Sequence, residues 1–287
     1  MGKYHRIIVF VVLFLLISFR LSAETLKLKE AGQELGFQKW GHGPRTILLL
    51  PGIGDLKENY SDFAQLLLAE ATVYALDLRG LGESSANFKS YGADETGSDI
   101  VFFIRELNLK NVTIVANSMS AASTIFAAAR LSERVDAIIL TGPFIKDTEL
   151  GFFLKAAIGV MFRGPWGPSL FKSFYKGLYP VNIPKDLEAH SDRIRANLRE
   201  EGRLSAVREM FFARKPESEK SIANLNTHVV IVMGEKDPDF ENPLQVAQEL
   251  ALLTKGKYFM FENCGHYPYK EDPEKLKKIL LDTWQKK

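Results

Sequence analysis

Short runs of apolar residues recur along the chain, each separated from the next by a polar or amphipathic stretch. Such a run is typical of a strand buried on both faces of a sheet. The runs lie at Thr46–Leu50, Thr72–Leu76, Val112–Val115, Val135–Leu140, Val229–Met233 and Tyr258–Phe261. Ahead of them, apolar and polar residues alternate over 25–40 around a turn at 30–33, which predicts a leading β-hairpin.

Helical patterns lie between most of the predicted strands. They span Tyr60–Glu70, Asp94–Leu107, Ala121–Leu131, Pro243–Thr254 and Asp272–Trp284. Parallel strands need long crossover connections, so this alternation predicts an α/β fold whose mainly parallel, eight-stranded sheet is flanked by helices.

One interval breaks the alternation. Between Leu140 and Val229 the sequence shows helical and aromatic segments punctuated by proline, with no strand pattern. We therefore interpret 143–226 as an inserted helical cap, and 24–142 together with 227–287 as the core.

The N-terminus has the pattern of a targeting segment. Lys3 and Arg6 precede a 13-residue apolar run, Ile7–Phe19, and Ala23 is a small residue before the break. This predicts a secretory signal peptide over 1–23 and export to the periplasm or the medium, since a membrane span needs about 20 apolar residues. The alternative is an uncleaved N-terminal membrane anchor.

Charge and cysteine content limit the partners and the covalent cross-links that the chain can have. Residues 1–23 hold three basic and no acidic residues, so without them the net charge falls from +2 to −1. A nearly neutral protein gives no electrostatic reason to expect nucleic acid as a partner. Cys264 is the only cysteine, which excludes an internal disulfide.

Ser118 stands at a predicted strand-to-helix transition. The run Val112–Val115 breaks into the short stretch Ala116–Ser120, and a helical pattern follows. A serine at the apex of such a turn stands clear of the backbone, beside the free N–H groups of a helix start. We therefore predict Ser118 as a nucleophile.

The base and the acid are expected on loops that follow later strands, because these loops open on one edge of a parallel sheet. His266 follows the last predicted strand, and Asp237 follows the strand before it. Asp239 is a nearby alternative for the acid and Asp147 a more distant one. A serine, a histidine base and an orienting carboxylate together form a catalytic triad.

Backbone donors for an oxyanion are predicted on two loops. One is the N–H of Met119, directly after the serine, and the other is the N–H of Ile53 within Pro51–Gly54. Glycines in the second loop let its backbone approach a ligand closely.

With these motifs the chain resembles the α/β-hydrolase superfamily, in the cap-bearing branch of esterases, haloperoxidases and epoxide hydrolases. The turn Asp77–Ser84 and the histidine loop Cys264–Pro268 are similar to that family's, and the order Ser118, Asp237, His266 is the one it uses. The resemblance implies the α/β-hydrolase fold and hydrolysis of an ester or related acyl bond, with no metal or organic cofactor.

Three positions depart from the family pattern. Ala116 and Ser120 replace the glycines that usually flank the serine, and Pro51 replaces the histidine of the usual His-Gly pair in the oxyanion loop. Dehalogenases and epoxide hydrolases of this branch carry aspartate at the apex. Ser118 therefore argues against those two chemistries.

The predicted cap begins with an apolar stretch, Leu150–Phe162, that holds a single charge. Phe152, Phe153 and Phe162 are candidates to bind substrate, which favours a hydrophobic small-molecule ester or a lipid. The same surface could instead be ordinary cap core, or contact a membrane surface.

Two other functions remain open. The same triad could cleave a C–C bond or form a peracid, and a hydrolase scaffold can also serve as a catalytically silent binding protein.

Overall fold

The computed structural model describes residues 24–27, 32–147 and 151–285. Eight strands of these residues form one sheet. They are β1 (Glu24–Lys27), β2 (Glu34–Trp40), β3 (Arg45–Leu50), β4 (Ala71–Leu76), β5 (Val112–Asn117), β6 (Val135–Thr141), β7 (His228–Gly234) and β8 (Lys257–Phe261). The strand order is β1-β2-β4-β3-β5-β6-β7-β8.

The sheet is mainly parallel. β2 pairs antiparallel with β1 and with β4, and all pairs from β4 to β8 are parallel. The predicted α/β fold with a mainly parallel, eight-stranded sheet is therefore confirmed.

Besides two 3-10 helices, Lys57–Tyr60 and Ile222–Asn224, the described part of the chain contains eleven α-helices. They are α1 (Ser61–Gln65), α2 (Ala93–Glu106), α3 (Ser120–Arg130), α4 (Phe152–Met161), α5 (Gly167–Gly177), α6 (Leu187–Asn197), α7 (Arg203–Phe212), α8 (Pro216–Ser221), α9 (Pro243–Thr254), α10 (Pro268–Glu271) and α11 (Pro273–Gln285).

The predicted helix over Tyr60–Glu70 is wrong in its length. α1 ends at Gln65, and the chain continues through tight turns. The carbonyl of Leu67 accepts from the N–H groups of both Glu70 and Ala71, which turns the chain into β4.

The central strands bury both faces, which explains why their sequences are continuous apolar runs. Along β3, Leu48 and Leu50 pack on the side covered by α2, whereas Ile47 and Leu49 pack on the side covered by α1. Because all four side chains are fully buried, the carboxyl ends of the strands are held rigidly where the next loops begin.

Helices α4 to α8 lie between β6 and β7, in the interval assigned to the cap from sequence. The described residues of 142–227 contain no strand. α5 packs against α4 and α6, whereas α8 packs against α2 and α3 of the core.

The predicted signal peptide, 1–23, lies outside the described residues. Within the part of the chain that the structure describes, no helix has the length and apolar character needed to cross a membrane.

Candidate active site

Ser118 occupies a sharp turn between β5 and α3. Its backbone has the left-handed φ of +57°, which costs energy for any residue other than glycine. The Ser118 N–H donates to the Thr141 carbonyl at 3.0 Å, and the Ser118 carbonyl accepts from Ala121 at 3.1 Å and Phe144 at 3.2 Å. These three hydrogen bonds hold the turn, and the Ser118 side chain reaches a cavity under α4 and α7.

The two flanks of the turn have small side chains. Ala116 is fully buried in β5. Ser120 is also buried, and its hydroxyl donates a short hydrogen bond of 2.5 Å to the Pro51 carbonyl. The turn is thereby joined to the loop after β3.

His266 and Asp237 lie at the same edge of the sheet as Ser118. The Nδ1 atom of His266 is 2.8 Å from Oδ2 of Asp237, and both side chains are almost completely buried. Nδ1 is 3.8 Å from the partly exposed carboxylate of Asp239. Asp147 pairs with Arg214 and Lys215 instead. Of the three candidate acids, Asp237 is therefore the one within hydrogen-bond distance of the imidazole.

The pKa of His266 reflects two opposed effects. Burial lowers it, but the charge of Asp237, the hydrogen bond to Asp237 and the charge of Asp239 raise it more, from 6.5 to about 9. The carboxylate can only accept, so the proton of the neutral imidazole lies on Nδ1 and Nε2 keeps its lone pair. His266 lines the same cavity as Ser118.

Asp237, Asp239 and His266 each offer a ligand atom, and these atoms all lie within 4.8 Å of one another. They could in principle hold a metal ion. A metal bound at Nδ1 would have to replace the proton that the hydrogen bond to Asp237 uses, so the two arrangements exclude each other.

Gly52 lies directly against the serine. A Cβ at this position would be 2.9 Å from Cβ of Ser118 and 3.6 Å from its Oγ. Gly54 has a φ of +74°, and a Cβ there would collide with the Phe171 ring of α5. Glycine is thus required on both sides of Ile53, because the loop is compressed between the serine turn and the cap.

The two predicted oxyanion donors, Ile53 and Met119, both line the cavity. Among the described residues, neither backbone N–H donates a hydrogen bond. A buried N–H group without a partner is rare in proteins. Both groups are therefore free to bind an anion beside Ser118.

Asn117 was not identified from the sequence. It is fully buried directly before the serine, and its Nδ2 donates to the Thr141 carbonyl at 3.0 Å and to the His266 carbonyl at 2.9 Å. It therefore ties the serine turn to the histidine loop. An amide at the end of an otherwise apolar strand was the signal that could have revealed it.

The histidine loop has two further supports. Glu271 accepts from the N–H groups of Gly265 at 2.8 Å and Tyr267 at 3.1 Å. The N–H of His266 donates to the Leu178 carbonyl, just after α5, at 3.1 Å. The position of the imidazole thus depends on the cap as well as on the core.

A buried polar cluster joins the cap to the core beside this loop. Asp55 is completely buried, and its Oδ1 lies 2.6 Å from Nε2 of His190 in α6. Its Oδ2 accepts from Asn59 at 2.8 Å and from the Tyr269 hydroxyl at 3.1 Å. The sequence pattern gave no indication of this cluster, because its members lie far apart in the chain.

The tautomer of His190 follows from its neighbours. Arg193 lies 3.1 Å from Nδ1, and a guanidinium can only donate, so Nδ1 must be the acceptor. The neutral ring then carries its proton on Nε2 and donates it to Asp55. We refer to Asp55, Asn59, Tyr269 and His190 as the cap–core cluster.

The cavity has a volume of about 870 Å³. Phe162 is buried, lines the cavity and packs against the rings of Phe171 and Phe211. The predicted substrate contacts Phe152 and Phe153 have side chains that lie outside the described part of the structure.

Comparison with known proteins places the chain in a family. Residues 47–278 match the family model described as the alpha/beta hydrolase family. The chain is 24% identical over 272 residues to 2-hydroxy-6-oxononadienedioate/2-hydroxy-6-oxononatrienedioate hydrolase 2 of Pseudomonas putida, a match that covers 89% of this chain and 93% of that protein.

Solved structures show the same fold. A bromoperoxidase from Bacillus anthracis has a TM-score of 0.78 at 18% identity, and the match covers 92% of this chain and 100% of that one. A thermophilic esterase from Thermogutta terrifontis has a TM-score of 0.74 at 19% identity, over 92% and 98% of the two chains. At such identities the likeness concerns the fold alone. The family match extends over most of the chain, and we conclude that the protein belongs to the alpha/beta hydrolase family.

Proposed function

We propose that this hydrolase-fold protein is a serine hydrolase that cleaves a carboxylic ester or related acyl bond. The observation that carries the proposal is the arrangement around one cavity. Ser118 and His266 both line it, His266 is hydrogen-bonded to Asp237 at 2.8 Å, and two further lining residues, Ile53 and Met119, have N–H groups without an acceptor among the described residues. This combination of nucleophile, oriented base and anion donors is the one that acyl transfer requires.

In the first half-reaction, Nε2 of His266 takes the Ser118 hydroxyl proton while Oγ bonds to the carbonyl carbon. The carbonyl oxygen becomes an oxyanion and accepts from the N–H groups of Ile53 and Met119. When the oxyanion collapses, the bond to the leaving alcohol breaks and His266 returns the proton to that alcohol. Asp237 stabilises the imidazolium that exists between the two transfers.

In the second half-reaction, water replaces the alcohol. His266 removes a proton from the water, the resulting hydroxide adds to the acyl-enzyme carbonyl, and collapse of the second oxyanion breaks the ester bond to Ser118. The proton returns to Oγ and the carboxylic acid leaves. No step of this cycle uses a metal or an organic cofactor.

The substrate we propose is a hydrophobic small-molecule ester or a lipid. The cavity wall is built mainly from apolar side chains, including Phe162, Phe174, Met210 and Phe211. Transfer of an acyl chain from water to such a wall is favourable, at about 25 cal/mol per Å² of apolar surface buried.

A fluorophosphonate probe tests the enzyme proposal. We expect covalent labelling of the purified protein, no labelling of Ser118→Ala, and hydrolysis of p-nitrophenyl esters by the first protein only. Labelling that is absent, or that persists in Ser118→Ala, would contradict the mechanism and favour a catalytically silent binding protein.

A second candidate is hydrolysis of a C–C bond with the same triad. It is favoured by the Pseudomonas putida relative, whose name describes a hydrolase of 2-hydroxy-6-oxo dioates and which matches nearly the whole chain. A panel containing both ester substrates and 2-hydroxy-6-oxo dienoates distinguishes the two, because the favoured reaction should show the higher kcat/KM by at least about tenfold.

Export is a separate part of the proposal. The basic start and apolar run of 1–23 suggest a cleaved signal peptide, and the apolar start of the cap suggests contact with a membrane surface. N-terminal sequencing of the protein made in a bacterial host, and liposome binding by protein lacking 1–23, test these two statements independently.

A further inference from the structure

Three cationic side chains line the same cavity as the proposed nucleophile. Lys155 belongs to α4, and Arg214 and Lys215 follow α7. The acidic residues that line this cavity are Asp147 and Asp239.

Asp147 neutralises only part of this charge. Its Oδ2 is 3.4 Å from Nε of Arg214, and its Oδ1 is 3.4 Å from Nζ of Lys215. Lys155 makes no ion pair with any residue that the structure describes. Among the described residues that line the cavity, the three cations therefore outnumber the two carboxylates, and only Asp147 contacts any of them.

The other nearby acids are directed elsewhere. Asp239 lies 3.8 Å from Nδ1 of His266 and belongs to the surroundings of the imidazole. Glu219 accepts from the N–H of Asp147 and lines a separate, smaller cavity of about 360 Å³. Within the described part of the chain, no ion pair joins the three cations to Asp237 or Asp239.

Apolar side chains make up most of the remaining wall. Phe174, Met210, Phe211 and Phe212 face the cavity together with the cations. Such a wall favours a ligand with an apolar body, whereas cations that outnumber the neighbouring carboxylates favour an anionic group on it.

We propose that Lys155, Arg214 and Lys215 form a subsite for an anionic group, a carboxylate or a phosphate, on the substrate. The substrate class is then an amphiphilic ester whose reactive carbonyl lies at Ser118 and whose acyl chain ends in the anion. This inference rests on the proposed ester hydrolysis and adds the chemistry of the substrate's far end.

The test compares p-nitrophenyl esters of equal acyl length that end in a methyl, a carboxylate or a phosphate group, over a series of chain lengths. We expect kcat/KM to be higher for an anionic ester than for its methyl partner at one or more lengths. Because salt screens the attraction between opposite charges, this preference should fall as the ionic strength rises. Preference for the phosphate over the carboxylate would identify a phosphate-bearing lipid as the source, and the reverse a dicarboxylic half-ester.

Two substitutions test whether these cations cause the preference for an anionic ester. Lys155→Met and Arg214→Met change exposed side chains, and together they should reduce the ratio of kcat/KM for the anionic ester to kcat/KM for the methyl ester by about tenfold. Lys110→Met is the matched control, because Lys110 is exposed and lies outside the cavity. Preference for the methyl ester at every length, or an anionic preference unaffected by the double variant, would overturn the subsite.

A binding measurement separates this inference from the proposed function. Calorimetry with Ser118→Ala protein and a medium-chain dicarboxylate needs no turnover. Binding that is about tenfold weaker in the Lys155→Met, Arg214→Met background supports the subsite even if no ester is hydrolysed. Equal binding in both backgrounds rejects the subsite even if esters are hydrolysed.

Discussion

Two departures from the family pattern meet in one hydrogen bond. Ser120 stands where the family usually has glycine, Pro51 stands where it usually has histidine, and the Ser120 hydroxyl donates to the Pro51 carbonyl at 2.5 Å. The bond joins the turn that carries Ser118 to the loop that carries Ile53. The residue that breaks the glycine pattern therefore links the loop of the proposed nucleophile to the loop of one proposed oxyanion donor.

Ser120→Ala should reduce kcat/KM for an ester by about tenfold and lower the free energy of unfolding by about 1–3 kcal/mol, because the buried Pro51 carbonyl loses its partner. Steady-state kinetics and chemical denaturation measure the two effects. Ser123→Ala is the matched control on the same helix, since the buried Ser123 hydroxyl has no hydrogen-bond partner among the described residues. Equal effects in the two variants would contradict a specific role for Ser120.

The raised pKa of His266 predicts an alkaline activity profile. The imidazole can accept the serine proton only when it is neutral, so with a pKa of about 9 it is mainly protonated at neutral pH. We therefore expect kcat/KM to increase with pH and to reach half its maximum near pH 9. A profile that is flat between pH 7 and pH 9 would contradict this assignment.

Asp239→Asn should move that midpoint to lower pH. The charge of Asp239 is one of the causes that raise the His266 pKa, and the substitution removes it without touching the hydrogen bond to Asp237. The pH dependence of kcat/KM provides the measurement, with Asp282→Asn in α11 as a remote control of the same charge change. An unchanged or raised midpoint would show that Asp239 does not act on the imidazole.

At the scale of elements, the cap–core cluster connects helices of the cap to both loops that build the site. Asp55 follows the oxyanion loop, His190 belongs to α6, and Tyr269 belongs to α10 after the histidine loop. The Asp55 charge and burial together raise the pKa of Tyr269 well above its usual value, with burial the larger cause, so the tyrosine stays a hydroxyl donor. The packing of the cap on the core and the positions of the two site loops therefore both depend on the buried Asp55 carboxylate.

His190→Ala should lower the free energy of unfolding by about 1.5–3 kcal/mol, because it removes one hydrogen bond to the buried Asp55 carboxylate, which keeps those from Asn59 and Tyr269. Chemical denaturation gives the loss, and limited proteolysis should show faster cleavage within 151–215. His42→Ala is the control, since His42 is exposed and its removal should change stability by no more than about 0.5 kcal/mol. A loss below about 1 kcal/mol for His190→Ala would contradict the importance of the pair.

At the scale of the whole molecule, the cavity exists only because the cap helices lie over the edge of the sheet. Its wall combines Ile53 and Met119 of the core with Ile158 and Phe162 of the cap. Neither the core residues nor the cap residues enclose the cavity alone. We therefore expect the acyl specificity of the proposed hydrolysis to depend on the assembled fold.

Phe162→Leu should shift the preferred acyl chain to greater length, because a smaller side chain at the wall leaves more room for the substrate. The readout is the chain length at which kcat/KM of p-nitrophenyl esters is highest. Phe63→Leu, in the buried core outside the cavity, should lower stability without changing the preferred length. If both variants leave the profile unchanged, Phe162 does not limit the substrate.

Much of the fold followed from the sequence because its strands are local patterns. The six apolar runs predicted as strands differ from β3 to β8 by at most two residues at either end. The exception was the helix over Tyr60–Glu70, where the helical pattern continued past the point at which the backbone turns into β4. The spacing of apolar residues along the chain did not predict that turn.

The sequence by itself determined the strands, the serine turn and the loops that carry Asp237 and His266, since each depends on residues close together in the chain. The tertiary structure decided which carboxylate reaches His266, that Asn117 ties the serine turn to the histidine loop, and that Asp55 meets His190. The last two contacts join residues 149 and 135 positions apart. Patterns of neighbouring residues cannot predict contacts over such separations, because the first contact forms where two loops of the core meet and the second where the cap packs on the core.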